Sequence, residues 1–267
     1  MRDVRPAAVA GSFYPEAPDR LLTLVRTCLA GAAGAPAAPP KAVIVPHAGY
    51  VYSGPVAAAA YARLAPMRGT ITRVVLLGPT HRVPVRGLAV PAARAFATPL
   101  GEVALDVDAI RGACALPQVV VSDDAHAGEH ALEVQLPFLQ AVLGAFRLVP
   151  LAVGDATPAA VAAVLDVLWG GPETLIVVSS DLSHYHGYAD AQRIDRGTAD
   201  AILALSPHLA HDQACGATPV NGLLICARRR GLVPALLDLR NSGDTAGDRR
   251  RVVGYASFAF TDDGTRH

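Results

Sequence analysis

Three apolar runs, each ending in a histidine-bearing turn, decide the fold of this chain: Lys41-Ala-Val-Ile-Val-Pro-His47, Arg73-Val-Val-Leu-Leu-Gly-Pro-Thr-His81 and Thr174-Leu-Ile-Val-Val-Ser-Ser-Asp-Leu-Ser-His184. Short β-branched runs bounded by Pro, Gly or Ser are typical of buried strands. In open α/β sheets the ligand crevice lies just beyond the carboxyl ends of the strands. The three runs therefore predict a convergent site at one edge of a sheet.

Helical and strand patterns alternate along the whole chain. The apolar periodicity predicts helices over 17–30, 54–64, 106–115, 129–143 with a kink or break at Pro137, 158–168, 189–205 and 219–230. It predicts strands over 42–45, 73–77, 88–91, 148–153, 175–179, 235–239 and 252–260, and a connector over 31–40. This alternation favours a three-layer α/β/α sandwich with a mostly parallel central sheet. Since no repeat or linker divides the chain, we expect one domain over residues 1–267.

Composition narrows the class of protein. The chain has 267 residues, 52% of them hydrophobic, so it can bury a sizeable core. Its 23 basic and 23 acidic residues balance, which indicates neither a nucleic-acid nor a membrane partner. No signal-peptide core or 18-residue apolar run is present, so we expect a cytoplasmic protein. The four cysteines are widely spaced, which favours reduced thiols over a disulfide framework or a zinc knuckle.

The two histidines after the first two runs are candidates for metal binding. His47 lies in a Pro-His-Ala-Gly-Tyr turn, and His81 follows Gly78-Pro-Thr, where Gly and Pro turn the chain out of the sheet. A lone histidine at a strand end is as often a turn residue bonded to backbone. Two of them, which we expect on neighbouring strands, are hard to attribute to packing.

Cys215 precedes a predicted helix whose start is indicated by Thr218 as N-cap and Pro219 at the first helical position. Amides and the macrodipole at such an N-terminus favour a thiolate. A buried inert thiol is the more common alternative, and we assign Cys226 to that class.

Asp181 and His184 follow the third run together. A carboxylate three residues from an imidazole can tune a general base or supply further metal ligands. The alternative is that Asp181 caps the following turn and His184 lies on the surface, where we also place His186.

A further cluster lies near the start of the helix predicted over 129–143. It comprises His126, Glu129, His130 and Glu133. Because His130 and Glu133 are three residues apart, they share a helix face and could point into the same crevice. Capping and solvation of the helix would explain them equally well.

As a set, the motifs of the chain resemble the Memo family, whose bacterial and archaeal members are called AmmeMemoRadiSam system protein B. The motifs are Gly11-Ser-Phe-Tyr-Pro15, Pro46-His47-Ala-Gly-Tyr50, Leu77-Gly-Pro-Thr-His81, Glu129-His130-Ala-Leu-Glu133-Val-Gln-Leu-Pro137, Ser179-Ser-Asp181-Leu-Ser-His184, Cys215-Gly, Asn241-Ser-Gly-Asp244 and Val253-Gly-Tyr255. The resemblance covers almost the whole chain. It implies the fold of the class III extradiol dioxygenases, whose iron site uses two histidines and a carboxylate.

The resemblance also implies roles for single residues. His47, His81 and Cys215 match the metal-ligand positions of the Memo pattern, while His184 matches the dioxygenase acid/base histidine, accompanied by Asp181. A thiolate thus replaces the dioxygenase carboxylate. Two imidazoles and a thiolate suit iron or copper, with zinc as an alternative.

Three hypotheses follow for the function. The leading one is a metal-dependent oxidoreductase of dioxygenase ancestry. The second is an adaptor that binds a protein or peptide in a vestigial pocket, since the resemblance implies peptide recognition in eukaryotic members and AMMECR1-type and radical SAM partners in bacteria. The third is a nucleophilic enzyme in which His184 and Asp181 activate Cys215. An unidentified small molecule or peptide is the expected ligand.

Overall fold

The computed structural model describes residues 3–32 and 38–262, so that 33–37 of the predicted connector lie outside the described residues. The strands are β1 (Val4–Arg5), β2 (Ala42–Val45), β3 (Arg73–Pro79), β4 (Leu88–Val90), β5 (Ala95–Thr98), β6 (Gly101–Ala104), β7 (Val119–Val121), β8 (Arg147–Val153), β9 (Thr174–Ser179), β10 (His184–His186), β11 (Leu232–Asn241) and β12 (Val252–Asp262). The helices are α1 (Pro18–Gly31), α2 (Tyr50–Tyr61), α3 (Val107–Ala113), α4 (Asp123–Ala127), α5 (Leu136–Leu143), α6 (Pro158–Leu168), α7 (Tyr188–Leu203), α8 (Ala217–Arg230) and α9 (Ser242–Thr245). Ala62–Met67 and Glu133–Gln135 are 3-10 turns.

A large mixed sheet forms the centre of the molecule. Its strand order is β10-β12-β2-β9-β3-β8-β4-β7, with β11 paired to β12. The four central strands β2, β9, β3 and β8 run parallel, whereas β12 and β4 join them antiparallel on either side. Strands β2 and β9 are buried along their whole length, as expected for strands covered on both faces. Strands β1, β5 and β6 form a second, three-stranded sheet.

Two groups of helices flank the large sheet. Helices α1, α2 and α5 contact one another, and α2 packs on β2 and β12. Helices α6 and α8 contact each other, and α8 packs on β3 and β9. The predicted α/β class with a parallel core of strands is confirmed, although both flanks of the sheet are antiparallel. A domain extending over all of residues 1–267 stays a prediction.

The boundaries differ from the sequence expectations where local capping decides them. Helix α8 begins at Ala217 after Gly216, so Thr218 is not its N-cap. Gly216 packs so closely on the loop after β9 that an added Cβ would lie 2.7 Å from Ser180 Cβ. The helix predicted over 129–143 is a 3-10 turn followed by α5, and Pro137 lies in the first turn of α5, where its missing N–H costs nothing.

The short strands β1, β5, β6, β7 and β10, each of two to four residues, were not predicted from the sequence. Within residues 3–32 and 38–262, none of the helices combines the length and the hydrophobicity that a membrane span requires.

Candidate metal site

The turns after β2, β3 and β9 open into one cleft at the carboxyl ends of the parallel strands. Val45 pairs with Ser179 across β2 and β9, so His47 and Asp181 leave the sheet side by side. The Asp181 Oδ1 atom accepts the His47 backbone N–H at 2.7 Å. The cleft has a volume of about 670 Å³, within the range of small-molecule sites. All five residues singled out in the sequence line it, namely His47, His81, Asp181, His184 and Cys215.

Three histidines form a cluster in this cleft. His47, His81 and His130 each present a candidate ligand atom, and these atoms lie within 4.8 Å of one another. Their ring centroids are 4.6–5.4 Å apart. His130 is therefore part of the site, which its spacing left open in the sequence. Imidazole nitrogens suit iron, copper and zinc, so the donor set of the cluster fits a transition metal.

The proton position on His47 follows from the hydrogen bonds of Ser179. The Ser179 hydroxyl donates its single proton to the Ala131 carbonyl at 2.6 Å and lies 2.9 Å from His47 Nδ1. Because that proton is already used, Ser179 Oγ accepts from His47 Nδ1–H. The lone pair of His47 is then on Nε2, which faces Cys215 Sγ at 3.3 Å.

Gln135 completes this assignment. Its Nε2 amide donates to the Pro46 carbonyl at 2.9 Å and to Ser179 Oγ at 2.8 Å, while its Oε1 accepts from the Tyr61 hydroxyl. A carbonyl can only accept, so the amide orientation is determined. Both lone pairs of Ser179 Oγ are thus occupied by donors, and the tautomer of His47 has no alternative within this buried network.

Glu129 determines the tautomer of His81 in the same way. The Glu129 Oε1 atom lies 2.9 Å from His81 Nδ1 and also accepts the backbone N–H groups of His130 and Ala131. Burial acts to raise the pKa of Glu129, but the hydrogen bonds from the His81 side chain and the amides lower it to about 2. The carboxylate is therefore ionised and accepts from His81 Nδ1–H, which leaves Nε2 as the nitrogen that carries the lone pair of the neutral ring. A carboxylate behind a histidine in this manner is a common support for a metal ligand.

Two of the clustered rings are kept neutral by burial. Desolvation, with smaller contributions from the neighbouring histidines, holds the pKa of His47 well below its usual 6.5. Burial also lowers the pKa of His130, whose buried Nδ1 lies 3.3 Å from Glu129 Oε1 without an aligned hydrogen bond. A neutral imidazole offers a lone pair, which is what a metal ion requires.

Cys215 lies beside His47, and its protonation differs from the sequence expectation. Burial and the Asp181 carboxylate raise the pKa of the Cys215 thiol to about 12, so the start of α8 does not stabilise a thiolate here. The sulfur contacts His47 Nε2 and the Asp181 carbonyl, at 3.3 and 3.7 Å. The imidazole beside the thiol is thus His47, whereas the nucleophile hypothesis requires His184.

Asp181 and His184 line the cleft together but are held differently. Asp181 is 4% exposed, and burial raises its pKa even though it accepts the His47 amide. His184 Nδ1 lies 2.8 Å from the Leu182 carbonyl, so Nδ1 carries a proton and Nε2 can accept one. His186, expected on the surface, is half-buried and also lines the cleft.

Glu133 does not reach the cleft. It is fully buried and accepts hydrogen bonds from Arg5, the amides of Ala8 and Val9, and the Tyr14 hydroxyl. His126 is also directed elsewhere, since its Nε2 donates to the Ala89 carbonyl at 2.9 Å. Neither residue caps or solvates a helix, which was the alternative explanation for the cluster. Glu133 instead anchors the N-terminal segment to the body of the protein.

An α/β protein with three imidazoles clustered at the carboxyl ends of its parallel strands belongs to the class of candidate metal-binding proteins. The chain belongs to the Memo family, since the family model for Memo-like protein matches residues 5–259. A MEMO1 family protein of Ignicoccus hospitalis is 38% identical, covering 96% of this chain and 98% of that protein. A MEMO1 family protein of Sulfolobus acidocaldarius is 34% identical, covering 97% and 100% respectively. An uncharacterized protein from Escherichia coli K12 shares the fold, with a TM-score of 0.52 and 12% identity over 81% of this chain and 98% of that one.

Proposed function

We propose that this protein is a metal-dependent oxidoreductase in which the Nε2 atoms of His47 and His81 bind a redox metal ion. One observation carries the proposal. Both histidines direct Nδ1–H at buried acceptors, Ser179 and Glu129, so each ring in its neutral form carries its lone pair on Nε2 and cannot change tautomer without breaking that bond. Pre-oriented imidazoles of this kind are typical of metal ligands.

Two side chains compete for the third ligand position. Cys215, implied by the family pattern, contacts His47 Nε2, while His130 belongs to the cluster of candidate donors. The raised pKa of Cys215 does not exclude it, because a coordinating thiol is deprotonated by the charge of the ion itself. A site that offers imidazoles together with a soft sulfur donor favours iron or copper, with zinc as the non-redox alternative.

The remaining cleft residues have roles in positioning and proton transfer. A bound iron or copper ion would supply the redox chemistry. His184, with its proton on Nδ1, can accept a substrate hydroxyl proton at Nε2. Asp181 positions His47 by accepting its backbone N–H. Oxygen consumption with catechols is the reaction to test first, because the family resemblance implies dioxygenase ancestry.

Metal analysis of purified variants tests the ligand assignment. We expect His47→Ala and His81→Ala to lose the metal, and His208→Ala, which changes an exposed histidine, to keep it. Comparison of Cys215→Ser with His130→Ala then identifies the third ligand. Wild-type occupancy in both His47→Ala and Cys215→Ser would refute the assignment. Edge scans for iron, copper and zinc on wild-type crystals would identify the element.

The same variants separate catalysis from the adaptor alternative. Catechol turnover that is lost in His184→Ala with metal retained supports the oxidoreductase. Binding of an AMMECR1-type or radical SAM protein without turnover, unaffected by His47→Ala or His184→Ala, supports an adaptor. A cytoplasmic location is part of the proposal, because all four cysteines are free thiols, as in a reducing compartment.

A further inference from the structure

The cleft continues from the histidine cluster into a second chamber of about 440 Å³. The two parts share Phe13, His130, Asp181, His184 and Tyr185 as walls. We call the second part the arginine chamber, after Arg251, which lines it with Tyr52, Asp248 and Tyr255. A ligand that spans both parts has one end at the histidines and the other at Arg251.

Arg251 offers its charge to the chamber. Its guanidinium carbon lies 5.1 Å from the centre of the Tyr185 ring, and it makes neither an ion pair nor a hydrogen bond with any residue in the described ranges. The two preceding arginines are engaged, since Arg249 donates to the Gly243 carbonyl and Arg250 pairs with Asp248. The five N–H groups of Arg251 are therefore available to a ligand.

Tyr185 holds its ring beside Arg251 at a cost in backbone strain. Its φ of 64° is a left-handed conformation that bulky residues rarely adopt, and its side chain is 63% exposed. The residues on either side pair with consecutive residues of β12, His184 with Val253 and His186 with Val252, so Tyr185 is the extra residue of a bulge. Strained residues of this kind are concentrated at ligand sites.

The other charges of the cleft do not cancel that of Arg251. Asp248 is paired with Arg250, and Asp181 is buried and bonded to the His47 amide. Asp212 and Arg82 line the part of the cleft that contains the histidines. Aromatic side chains of Phe13, Tyr52 and Tyr255 provide the remaining large walls of the arginine chamber. The chamber thus combines an available guanidinium with surfaces on which a planar ring can pack.

We propose that Arg251, stacked on Tyr185, binds the carboxylate or phosphate group of an aromatic ligand whose opposite end lies at the histidine cluster. A planar guanidinium binds two anionic oxygens at once, which neither a lysine nor a neutral donor can do. The nature of the reaction at the opposite end rests on the proposed function. The anion site itself does not, because neither Arg251 nor Tyr185 belongs to the candidate ligand set.

Binding of four small probes to the protein as purified, with whatever metal it retains, tests this inference. The probes are benzoate, phenyl phosphate, the neutral benzamide and the cationic benzylamine, titrated by ligand-observed NMR. We expect at least one anion to bind roughly tenfold more tightly than benzamide, as a charge-assisted pair of hydrogen bonds implies. The ranking of benzoate against phenyl phosphate identifies which anion the chamber accepts.

Matched arginine variants test whether the preference for anions depends on Arg251. Arg251→Gln should abolish the preference for the anion, while Arg249→Gln, which changes an arginine stacked on Tyr188, should retain it. Tyr185→Leu should weaken benzoate and benzamide alike, since it removes a stacking surface. Three results would overturn the inference. The first is that benzamide or benzylamine binds as tightly as the anions or more tightly, and the second is that neither anion binds. The third is that the preference is lost in Arg249→Gln or Arg82→Gln but not in Arg251→Gln.

Metal analysis of the same samples separates this inference from the proposed function. Wild-type metal content in Arg251→Gln, with the preference lost, supports the anion site. If wild-type protein holds no metal but prefers the anions, the proposed function fails and the anion site stands. If the wild-type protein binds metal but shows no preference for the anions, the anion site fails and the proposed metal site stands.

Discussion

Replacement of Glu133 by glutamine tests whether this residue anchors the N-terminal segment or serves the cleft. The Glu133 carboxylate is fully buried, and its two oxygens accept from four donors that belong to Arg5, Ala8, Val9 and Tyr14. A glutamine amide has only one oxygen, so its NH₂ must face one pair of these donors. In the better orientation the oxygen keeps Arg5 and Ala8, and the tyrosine hydroxyl turns to accept.

Two lost interactions determine how far Glu133→Gln lowers the free energy of unfolding. The Arg5 guanidinium, which is 5% exposed, loses its counter-charge, although it keeps hydrogen bonds to the carbonyls of His126 and Glu129. Removal of one partner of a buried ion pair costs about 3 kcal/mol at the lower end of the usual range. The Val9 N–H also loses its acceptor, which adds about 1 kcal/mol or more. We therefore expect Glu133→Gln to lower the free energy of unfolding by roughly 4 kcal/mol.

Urea unfolding followed by circular dichroism measures this change. Glu102→Gln, on the exposed side of β6, is the matched control and should change stability by no more than about 0.5 kcal/mol. Metal content of the folded Glu133→Gln variant should stay at the wild-type level, because Glu133 contacts none of the clustered histidines. A loss of stability below about 1 kcal/mol would refute the anchoring role, and a loss of metal from folded protein would place Glu133 in the site after all.

Three further predictions concern other parts of the structure. Burial lowers the pKa of His126 from 6.5 to about 4, so between pH 6.5 and about pH 4 His126 is protonated in the unfolded chain but neutral in the folded protein. Stability should fall by about 3 kcal/mol as the pH drops through this window, and His126→Gln should flatten the slope; equal slopes in urea titrations would contradict this. Ser179→Ala removes the acceptor of His47 Nδ1–H and should weaken the affinity for the metal about 10- to 100-fold. Competition with a chelator measures this affinity, and an unchanged value would contradict the prediction. Gly254→Ala would place a Cβ 2.0 Å from Asp195 Oδ2, so we expect overpacking to lower the free energy of unfolding by about 1–3 kcal/mol. An unaltered melting temperature would contradict this.

The strands that build the site were predictable from local sequence. The run over 42–45 matches β2, and the runs that begin at Arg73 and Thr174 become β3 and β9. These strands are covered on both faces, so nearly every position must be apolar and the pattern is unambiguous. The direction of the strands then places the following turns at one edge, which is why His47, His81 and Asp181 could be expected together.

The separate roles of His130 and Glu133 could not be predicted. Helical spacing placed them on one face, but the residues from Glu129 to Leu132 are not helical. The Glu129 carboxylate accepts the amides of His130 and Ala131, and this turn directs His130 into the cleft. Spacing along the sequence has meaning only after the backbone conformation is known.

The sequence by itself determined the α/β class, the Memo family and the set of histidines at the strand ends, because each of these depends on the order and type of nearby residues. Only the tertiary structure decided which nitrogen of His47 carries a proton, which imidazole lies beside Cys215, and that Arg251 has no carboxylate partner among the described residues. These properties depend on contacts between residues far apart in the chain, such as Ser179 with Ala131 and Cys215 with His47. Hydrogen bonds and charges act over a few ångströms in space, and sequence distance does not measure that.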